Sequence, residues 1–219
     1  MACRLLWPKL VQRAINSLMV LGAVLLAACS TNPQPFPLPL APDPKAIFVS
    51  NPNYGTAPAV TTGLPAAVTA PLSGDEVAVS VSPHPQQQRG PVFPDGSFSL
   101  KLGTLVQGDS LEAWVERDGE QSAHVVVSWR GDSANFGALT VDSVSPVSAG
   151  LSTVSGHFDS GWQVVIGNAR DGAAALATVG GGTFSTSIAA AAGDTLALFG
   201  RDPSTSITTV SQEVTVPGP

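Results

Sequence analysis

A long internal repeat is the feature of this sequence that most narrows the folds open to it. The segment GSFS at 96–99 returns as GTFS at 182–185, an offset of 86 residues. GDSL at 108–111 returns as GDTL at 193–196, and the Arg-Asp pair at 117–118 returns at 201–202. The offset drifts by one residue between these matches, as expected where loops tolerate deletion. The chain therefore carries two copies of one structural unit.

Within each copy, apolar residues alternate with polar or small ones, which is the period of a half-buried strand. Three runs in the first copy have this pattern: Val77, Val79 and Val81; Phe98, Leu100 and Leu102; and Leu111, Ala113 and Val115. Turn-forming Gly, Asp, Ser and Pro separate the runs, and no convincing helix pattern appears. Each copy is about 75–80 residues with roughly seven short strands, which suits a small two-sheet sandwich.

This order of features resembles the bacterial immunoglobulin-like repeats of surface proteins. In those repeats a Gly-x-Phe strand, a Gly-Asp turn and an apolar strand with a following Asp precede a closing Val-rich strand. The resemblance implies an all-β chain with two tandem immunoglobulin-like β-sandwiches, at 57–131 and 136–217. The segment 203–206 (PSTS) departs from the pattern, which often has Gly-Asn there, so the last hairpin of the second copy is not predicted.

The N-terminus has the layout of an export signal. Arg4, Lys9 and Arg13 precede an uncharged apolar run at 18–28, which is too short to span a bilayer as a helix. The run ends in LAAC at 26–29, which resembles the lipobox of bacterial lipoprotein precursors. The resemblance implies cleavage of the signal peptide 1–28 and lipidation of Cys29 by diacylglycerol and then, at its amine, by a fatty acid such as palmitate.

Two alternatives remain for the N-terminus, an ordinary cleaved signal and an uncleaved membrane helix. Ser30 follows the cysteine where some lipoproteins have Asp, and in many double-membrane bacteria this resembles the default for sorting to the outer membrane. The expected location is the bacterial cell envelope, with the protein lipid-anchored to a membrane, most simply the outer one. The sequence does not distinguish the periplasmic from the surface face.

Composition limits the partners of the mature chain. Loss of residues 1–28 removes three of ten basic residues and leaves all 16 acidic ones, a formal charge of −9. Such a charge argues against binding to nucleic acid or to anionic lipid by electrostatics. Cys3 leaves with the signal and Cys29 carries lipid, so no disulfide is expected and core packing must hold the domains together.

The segment 29–56 contains the lipidated cysteine and seven prolines, which favour an extended backbone. Fully extended, residues 30–56 would reach roughly 80 Å at ~3.1 Å per residue. We predict a stalk that holds the domains away from the membrane. A disordered linker without a length requirement is the alternative.

No catalytic residue, cofactor site or metal site is predicted. The histidines at 84, 124 and 157 have no metal-ligand spacing, and Gly-x-Ser-x-Gly is absent from the sequence. Asp-Gly pairs such as 95–96 suit hairpin turns better than calcium loops, which need regularly spaced carboxylates. The tripeptide Arg130-Gly131-Asp132 matches the integrin-binding motif of animal matrix proteins, but it equally suits a polar turn between domains.

Two aromatic residues, Trp114 and Phe199, occupy matching positions in the two copies. Alternation places them on the face opposite Leu111 and Leu196, where an exposed ring would contact a protein partner or stack on a glycan. The competing interpretation is that both rings pack under a loop or against the sister domain.

The sequence thus predicts a non-enzymatic structural, adhesive or partner-presenting module of the envelope. A glycan-binding module that uses exposed aromatics is the alternative. An accessory subunit of a larger envelope machine is a further possibility within the binding class, and an enzyme with an unrecognised site is a third class.

Overall fold

The computed structural model describes residues 37–52, 58–84, 86–129 and 138–218. The predicted signal peptide, the predicted lipidation site Cys29 and the Arg130-Gly131-Asp132 tripeptide lie outside these ranges. The described residues are all-β, with strands arranged in antiparallel sheets and a single turn of 3-10 helix at Pro44–Ala46. In these ranges, no helix has the length and apolar character to cross a membrane. The predicted fold class is confirmed.

The first sandwich contains eight strands in two sheets. Sheet 1 has the order β1-β2-β5, and sheet 2 has the order β4-β3-β6-β7 with β8 also paired to β6. The strands are β1 (Ile47–Val49), β2 (Val60–Gly63), β3 (Glu76–Ser82), β4 (Gln86–Pro91), β5 (Phe98–Lys101), β6 (Ser110–Arg117), β7 (Glu120–Gln121) and β8 (Val125–Val127).

The second sandwich contains seven strands in two sheets. Sheet 3 has the order β9-β10-β13, and sheet 4 has the order β12-β11-β14-β15. The strands are β9 (Thr140–Val144), β10 (Leu151–His157), β11 (Gln163–Asn168), β12 (Ala174–Thr178), β13 (Thr183–Ala189), β14 (Thr195–Arg201) and β15 (Gln212–Thr215).

The two sandwiches have the same strand order, as the repeat predicts. Sheet 1 corresponds to sheet 3, and the path β4-β3-β6-β8 of sheet 2 corresponds to β12-β11-β14-β15 of sheet 4. Each sandwich encloses its own apolar core. Phe98 and Leu111 are central to the first core, and Phe184 and Leu196 occupy the matching places in the second.

The Gly-Asp pairs of the repeat form one recurrent turn. Gly108 and Gly193 adopt positive φ angles of 95° and 86°, which glycine reaches without strain. The following carboxylates, Asp109 and Asp194, each accept a hydrogen bond from the backbone amide three residues before them, at 2.9 and 2.7 Å. The turn thus needs both residue types, and this need explains why the pair recurs at the start of β6 and β14.

The first sandwich begins earlier than predicted, because part of the predicted stalk is a strand. Ile47 and Val49 are buried in the first core, and β1 pairs with β2 in register from Ile47 opposite Gly63 to Val49 opposite Thr61. An apolar Ile-Phe-Val run flanked by prolines suits an edge strand of a sheet. Residues 47–49 therefore belong to the first sandwich and not to the predicted stalk.

The two sandwiches pack sheet against sheet, with the outer face of sheet 1 on the outer face of sheet 4. Thr62 and Ser99 are fully buried although they point away from the first core. The gap is so narrow that a Cβ at Gly167 of β11 would lie within 3.0 Å of side-chain atoms of both residues. The sheets therefore stack in the order 2, 1, 4, 3.

The interface between the outer faces of sheets 1 and 4, which we call the seam, also contains hydrogen bonds. The hydroxyl of Ser97 donates to the carbonyl of Gly172 at 3.2 Å and accepts from the amide of Ala174 at 3.1 Å. At the sheet margin, Lys101 and Glu213 form an exposed ion pair at 2.7 Å. The buried hydroxyl of Ser97 is thus paired across the seam, as its burial requires.

Candidate functional site

A cleft lies where the start of the first sandwich meets the β14–β15 loop of the second. It has a volume of about 330 Å³, at the lower end of the ~300–1,000 Å³ range of small-molecule sites. Ten residues line it: Pro44, Lys45, Ile47, Phe48, Val49, Ser128, Trp129, Arg201, Ser206 and Thr208. Its lining combines aromatic rings, hydroxyls and cations.

Strand β1 and the β14–β15 loop are held together by main-chain and side-chain hydrogen bonds. The hydroxyl of Thr208 donates to the carbonyl of Val49 at 2.8 Å, and the amide of Asn51 donates to the carbonyl of Thr209 at 2.8 Å. Asn51 and Val210 form a parallel bridge. The walls of the cleft, which come from different sandwiches, are thereby fixed relative to each other.

Asp202 shapes the loop that forms one wall. Its carboxylate accepts bonds from the amide and hydroxyl of Ser204 and from the hydroxyl of Thr205. The bonds from Thr205 and Ser204 lower the pKa of Asp202 to about 2. The hydrogen bonds to Asp202 close the turn at 203–206, where the sequence does not predict a hairpin. The chain then continues to Thr208.

Arg201 is the central cation of the cleft. Its guanidinium lies over the ring of Phe48 at 4.2 Å from the centroid, and its Nη1 donates to Gln163 Oε1 at 2.6 Å. Its Nε is buried and has no hydrogen-bond partner among the described residues. Burial lowers the pKa of Arg201, an effect that the charge of Asp202 opposes. The guanidinium of Arg201 is thus partly shielded from water, and its Nε makes no hydrogen bond to the described residues.

Two further groups define the mouth of the cleft. Trp129 is half-buried and its indole N–H donates to the carbonyl of Asp109 at 3.0 Å, which fixes the orientation of the ring. Lys45 is exposed and forms no ion pair with the residues described. The ring of Trp129 packs against the first core, and it lines the cleft together with Arg201.

Trp114 lies on the outer face of sheet 2 but is only 4 % exposed. His124 stacks on its ring with centroids 4.2 Å apart and planes 8° from parallel. The indole N–H donates to Glu116 Oε1 at 2.8 Å, and Arg89 pairs with Glu116 at 2.9 Å. The ring therefore packs beneath polar side chains. Contact with a partner or glycan through Trp114 stays a prediction that requires His124 to move.

Phe199 lies on the outer face of sheet 4 and is fully buried. It pairs in register with Val165, on the same face as Gly167, which meets Ser99 across the seam. This burial agrees with packing against the sister domain. It leaves no open ring face for a ligand at Phe199, so the glycan alternative loses the exposed ring that it assumed at this position.

A shallow groove on sheet 3 is the second concave feature. His157 Nδ1 and Asp142 Oδ2 are 2.6 Å apart, which is the imidazole–carboxylate half of a catalytic triad. The Ser155 hydroxyl in this groove is hydrogen-bonded to Ser143 at 2.8 Å. The hydrogen bonds among the described residues include none from a hydroxyl to His157. The pair is thus an exposed ion pair when the histidine is protonated.

Metal ligands do not cluster in the part of the chain that the structure describes: no group of three His, Cys, Asp or Glu side chains is placed to hold an ion. Instead, each histidine faces one carboxylate. His84 pairs with Asp109 at 2.9 Å and His124 with Glu112 at 3.3 Å. Asp95, at a turn considered for calcium, accepts the amide of Ser97 at 2.9 Å, as in an ordinary Asx turn.

Sequence reasoning missed the cleft because its lining comes from distant segments. Lys45 and Phe48 fell within the predicted stalk, and Arg201 was noted only as part of the repeat. One signal was available, namely that Trp162 replaces the repeat's Asp75. In the first copy Arg117 pairs with that Asp, so its loss in the second copy leaves Arg201 without the matching carboxylate.

No protein-family model matches this sequence, and no curated protein matches it either. Among solved structures, a biofilm-associated protein BSP domain is similar at a TM-score of 0.33 and 14 % identity, over 83 % of this chain. This chain spans 29 % of that structure's length.

Two structures from chicken are similar at a comparable level. The interferon gamma receptor alpha chain has a TM-score of 0.29 and 15 % identity, over 83 % of this chain and 98 % of that one. A two-domain fibronectin type-III segment of tenascin has a TM-score of 0.28 and 15 % identity, over 82 % and 99 %. Similarity at these TM-scores carries no argument about function.

Proposed function

We propose that this chain is a lipid-anchored, non-enzymatic protein of the bacterial cell envelope, in which two fused sandwiches form one rigid module for spacing, adhesion or presentation. The observation that carries this proposal is the seam between sheets 1 and 4. A chain whose two units are fixed together keeps a constant surface and a constant length. Those are the properties that a structural or adhesive module requires.

The attachment of β1 supports the same proposal. An anchor at Cys29 would connect through the Pro-rich segment directly to β1, because β1 is the first strand of the chain that the structure describes. β1 is bonded to β2 of its own sandwich and, through Val49, to Thr208 of the second. A load applied at the N-terminus would therefore be shared by both sandwiches.

The anchor is tested by metabolic labelling of intact bacteria with radioactive palmitate. Cys29→Ala is expected to abolish label on this protein, and Cys3→Ala, the matched control, to retain it. Unchanged labelling of Cys29→Ala would refute the anchor. Recovery of that variant as a full-length membrane-bound chain would identify residues 1–28 as a membrane helix instead.

The presenting role is tested by crosslinking in intact cells, followed by purification of the protein and identification of what is attached to it. A discrete envelope partner, lost when a surface of the sandwiches is altered, is the expected result. Turnover of a substrate by the purified chain, abolished by one polar substitution, would show instead that the protein is an enzyme.

A further inference from the structure

We infer that the cleft between β1 and the β14–β15 loop binds the carboxylate of an acidic sugar. The cleft can bind such a carboxylate whether or not Cys29 carries lipid, a role beyond the proposed function. Its residues are different from the buried rings of Trp114 and Phe199.

The charge of the cleft is opposite to that of the chain. The whole sequence has 16 acidic and ten basic residues, yet the lining includes two cations, Lys45 and Arg201, and no Asp or Glu. Asp43 and Asp202 are close in sequence to these cations but lie outside the lining. Their carboxylates accept hydrogen bonds from the Lys45 amide at 2.9 Å and from Ser204 and Thr205, which does not remove their charge. The lining itself contains only positive charges, which favours an anion in contact with it.

Arg201 points to a carboxylate in particular. Its guanidinium is positioned by Phe48 and Gln163, so little side-chain entropy remains to be lost on binding. No carboxylate of the described residues forms an ion pair with it. A planar guanidinium matches a planar carboxylate, and the attraction is strengthened where water is partly excluded.

The remaining lining points to a sugar as the carrier of that carboxylate. Trp129 offers an amphipathic ring whose orientation is already fixed by its bond to Asp109. The hydroxyls of Ser128 and Ser206 form no side-chain hydrogen bond among the described residues, so both are free to meet sugar hydroxyls. An aromatic surface with a few convergent polar groups is the usual composition of a small-molecule site.

The experiment uses the full-length chain in detergent micelles and measures binding by isothermal titration calorimetry. The probes are trigalacturonate and its neutral counterpart galactotriose, which lacks the carboxylates. Trigalacturonate is expected to bind and galactotriose to bind at least tenfold more weakly. Added salt is expected to weaken the interaction with trigalacturonate.

Variants locate the site. Lys45→Gln is expected to weaken trigalacturonate binding by about three- to tenfold, as for one partly exposed charge. Trp129→Phe, which keeps a ring but loses the indole, is expected to weaken it by a similar factor. Lys101→Gln is the matched control, because it removes an exposed lysine away from the cleft and is expected to leave binding unchanged.

Three outcomes would overturn the inference. Equal binding of the two probes would show that the carboxylate is not recognised. Equal losses for Lys45→Gln and Lys101→Gln would mean that the anion binds by net charge rather than in the cleft. Displacement of trigalacturonate by a short peptide only when its C-terminal carboxylate is free, with no binding of sugar alone, would assign the cleft to a peptide.

Discussion

Gly167→Ala is the most direct test of the packing between the sandwiches. Gly167 lies in the middle of β11 and faces sheet 1, and an added Cβ would lie within 3.0 Å of Ser99 Oγ, Ser99 Cβ and Thr62 Oγ1. Cβ atoms in proteins essentially never approach a non-bonded heavy atom as closely as Ser99 Oγ and Cβ would be approached here. Ser99 and Thr62 cannot easily move away, because their strands are packed on the first core. One sheet must therefore move away from the other, or the side chains must leave their preferred rotamers.

The size of the effect follows from the cost of overpacking, which is about 1–3 kcal/mol for an extra methyl group in a well-packed interior. For a chain of this length, a loss of 2 kcal/mol corresponds to a drop in melting temperature of about 4–8 °C. The intrinsic preference of the backbone for Ala over Gly acts in the opposite direction, by about 0.4–1 kcal/mol. A net loss of about 1–2 kcal/mol is the expected result.

Differential scanning calorimetry and urea unfolding measure this loss. Gly180→Ala is the matched control, because no atom lies within 4 Å of its Cβ position and its φ angle is not positive. It is expected to raise the free energy of unfolding by about 0.4–1 kcal/mol, the intrinsic preference for Ala alone. The double variant with Ser99→Gly removes two of the clashing atoms and is expected to recover more than half of the loss. If Gly167→Ala were as stable as Gly180→Ala, the described seam would be wrong.

Two further predictions concern buried charges. Arg117→Met is expected to lower the free energy of unfolding by about 3–5 kcal/mol in urea titration, because it leaves the carboxylate of Asp75 buried without its bidentate partner at 2.6 and 2.7 Å. Lys101→Met, which removes one member of an exposed ion pair, should lower it by less than about 1 kcal/mol. Equal losses for the two variants would contradict the role given to the buried pair. Burial alone would raise the pKa of Asp75 and of Asp194, but hydrogen bonds from arginine and from backbone amides lower both pKa values below 3.8. The unfolded chain therefore takes up these protons first, so the stabilisation is present above about pH 4 and is lost as the pH falls through the folded-state pKa values. Urea midpoints between pH 6 and pH 2.5 should fall in this way, and Asp194→Asn should flatten the curve; an unchanged slope would refute the assignment.

The sequence predicted the sandwiches well because their determinants are local. Alternation sets the inner face of each strand, and the Gly-Asp turn requires a positive φ angle followed by a short carboxylate that caps its own turn. Phe98 and Phe184, which the repeat aligns, both lie in cores. The same alternation placed Trp114 and Phe199 on outer faces, which the structure confirms.

The relation between the sandwiches was not predictable from local patterns. Whether an outer face is buried depends on which distant segment packs on it. The residues around Phe199 in the sequence therefore do not predict whether its ring contacts water or sheet 1. Small residues at Gly167 and Ser99 permit the close approach, but both types also occur in ordinary turns and exposed strands. The strand at 47–49 was assigned to the stalk because prolines surround it on both sides.

The candidate site arises from a difference between the two copies in the partners of one arginine. Arg117 of the first copy is held by Asp75, whereas Arg201 of the second has Gln163 and the ring of Phe48. A similar exchange occurs in the loops after β3 and β11. His84 pairs with Asp109, and Arg170 pairs with Asp194 at the matching turn. A repeat therefore predicts a backbone more securely than it predicts which side chains meet.

The seam joins two different kinds of sheet, since sheet 1 corresponds to sheet 3 and not to sheet 4. Such a heterologous contact has no built-in end: a third copy added in the same way would continue the stack, and identical chains would polymerise. The outer faces of sheets 2 and 3 carry different side chains from those at the seam. Sheet 2 is covered by Trp114, His124 and Glu116, and sheet 3 presents hydroxyls such as Thr153 and Ser187. The seam and the outer faces of sheets 2 and 3 therefore differ in their side chains and not in the strand order, which the two copies share.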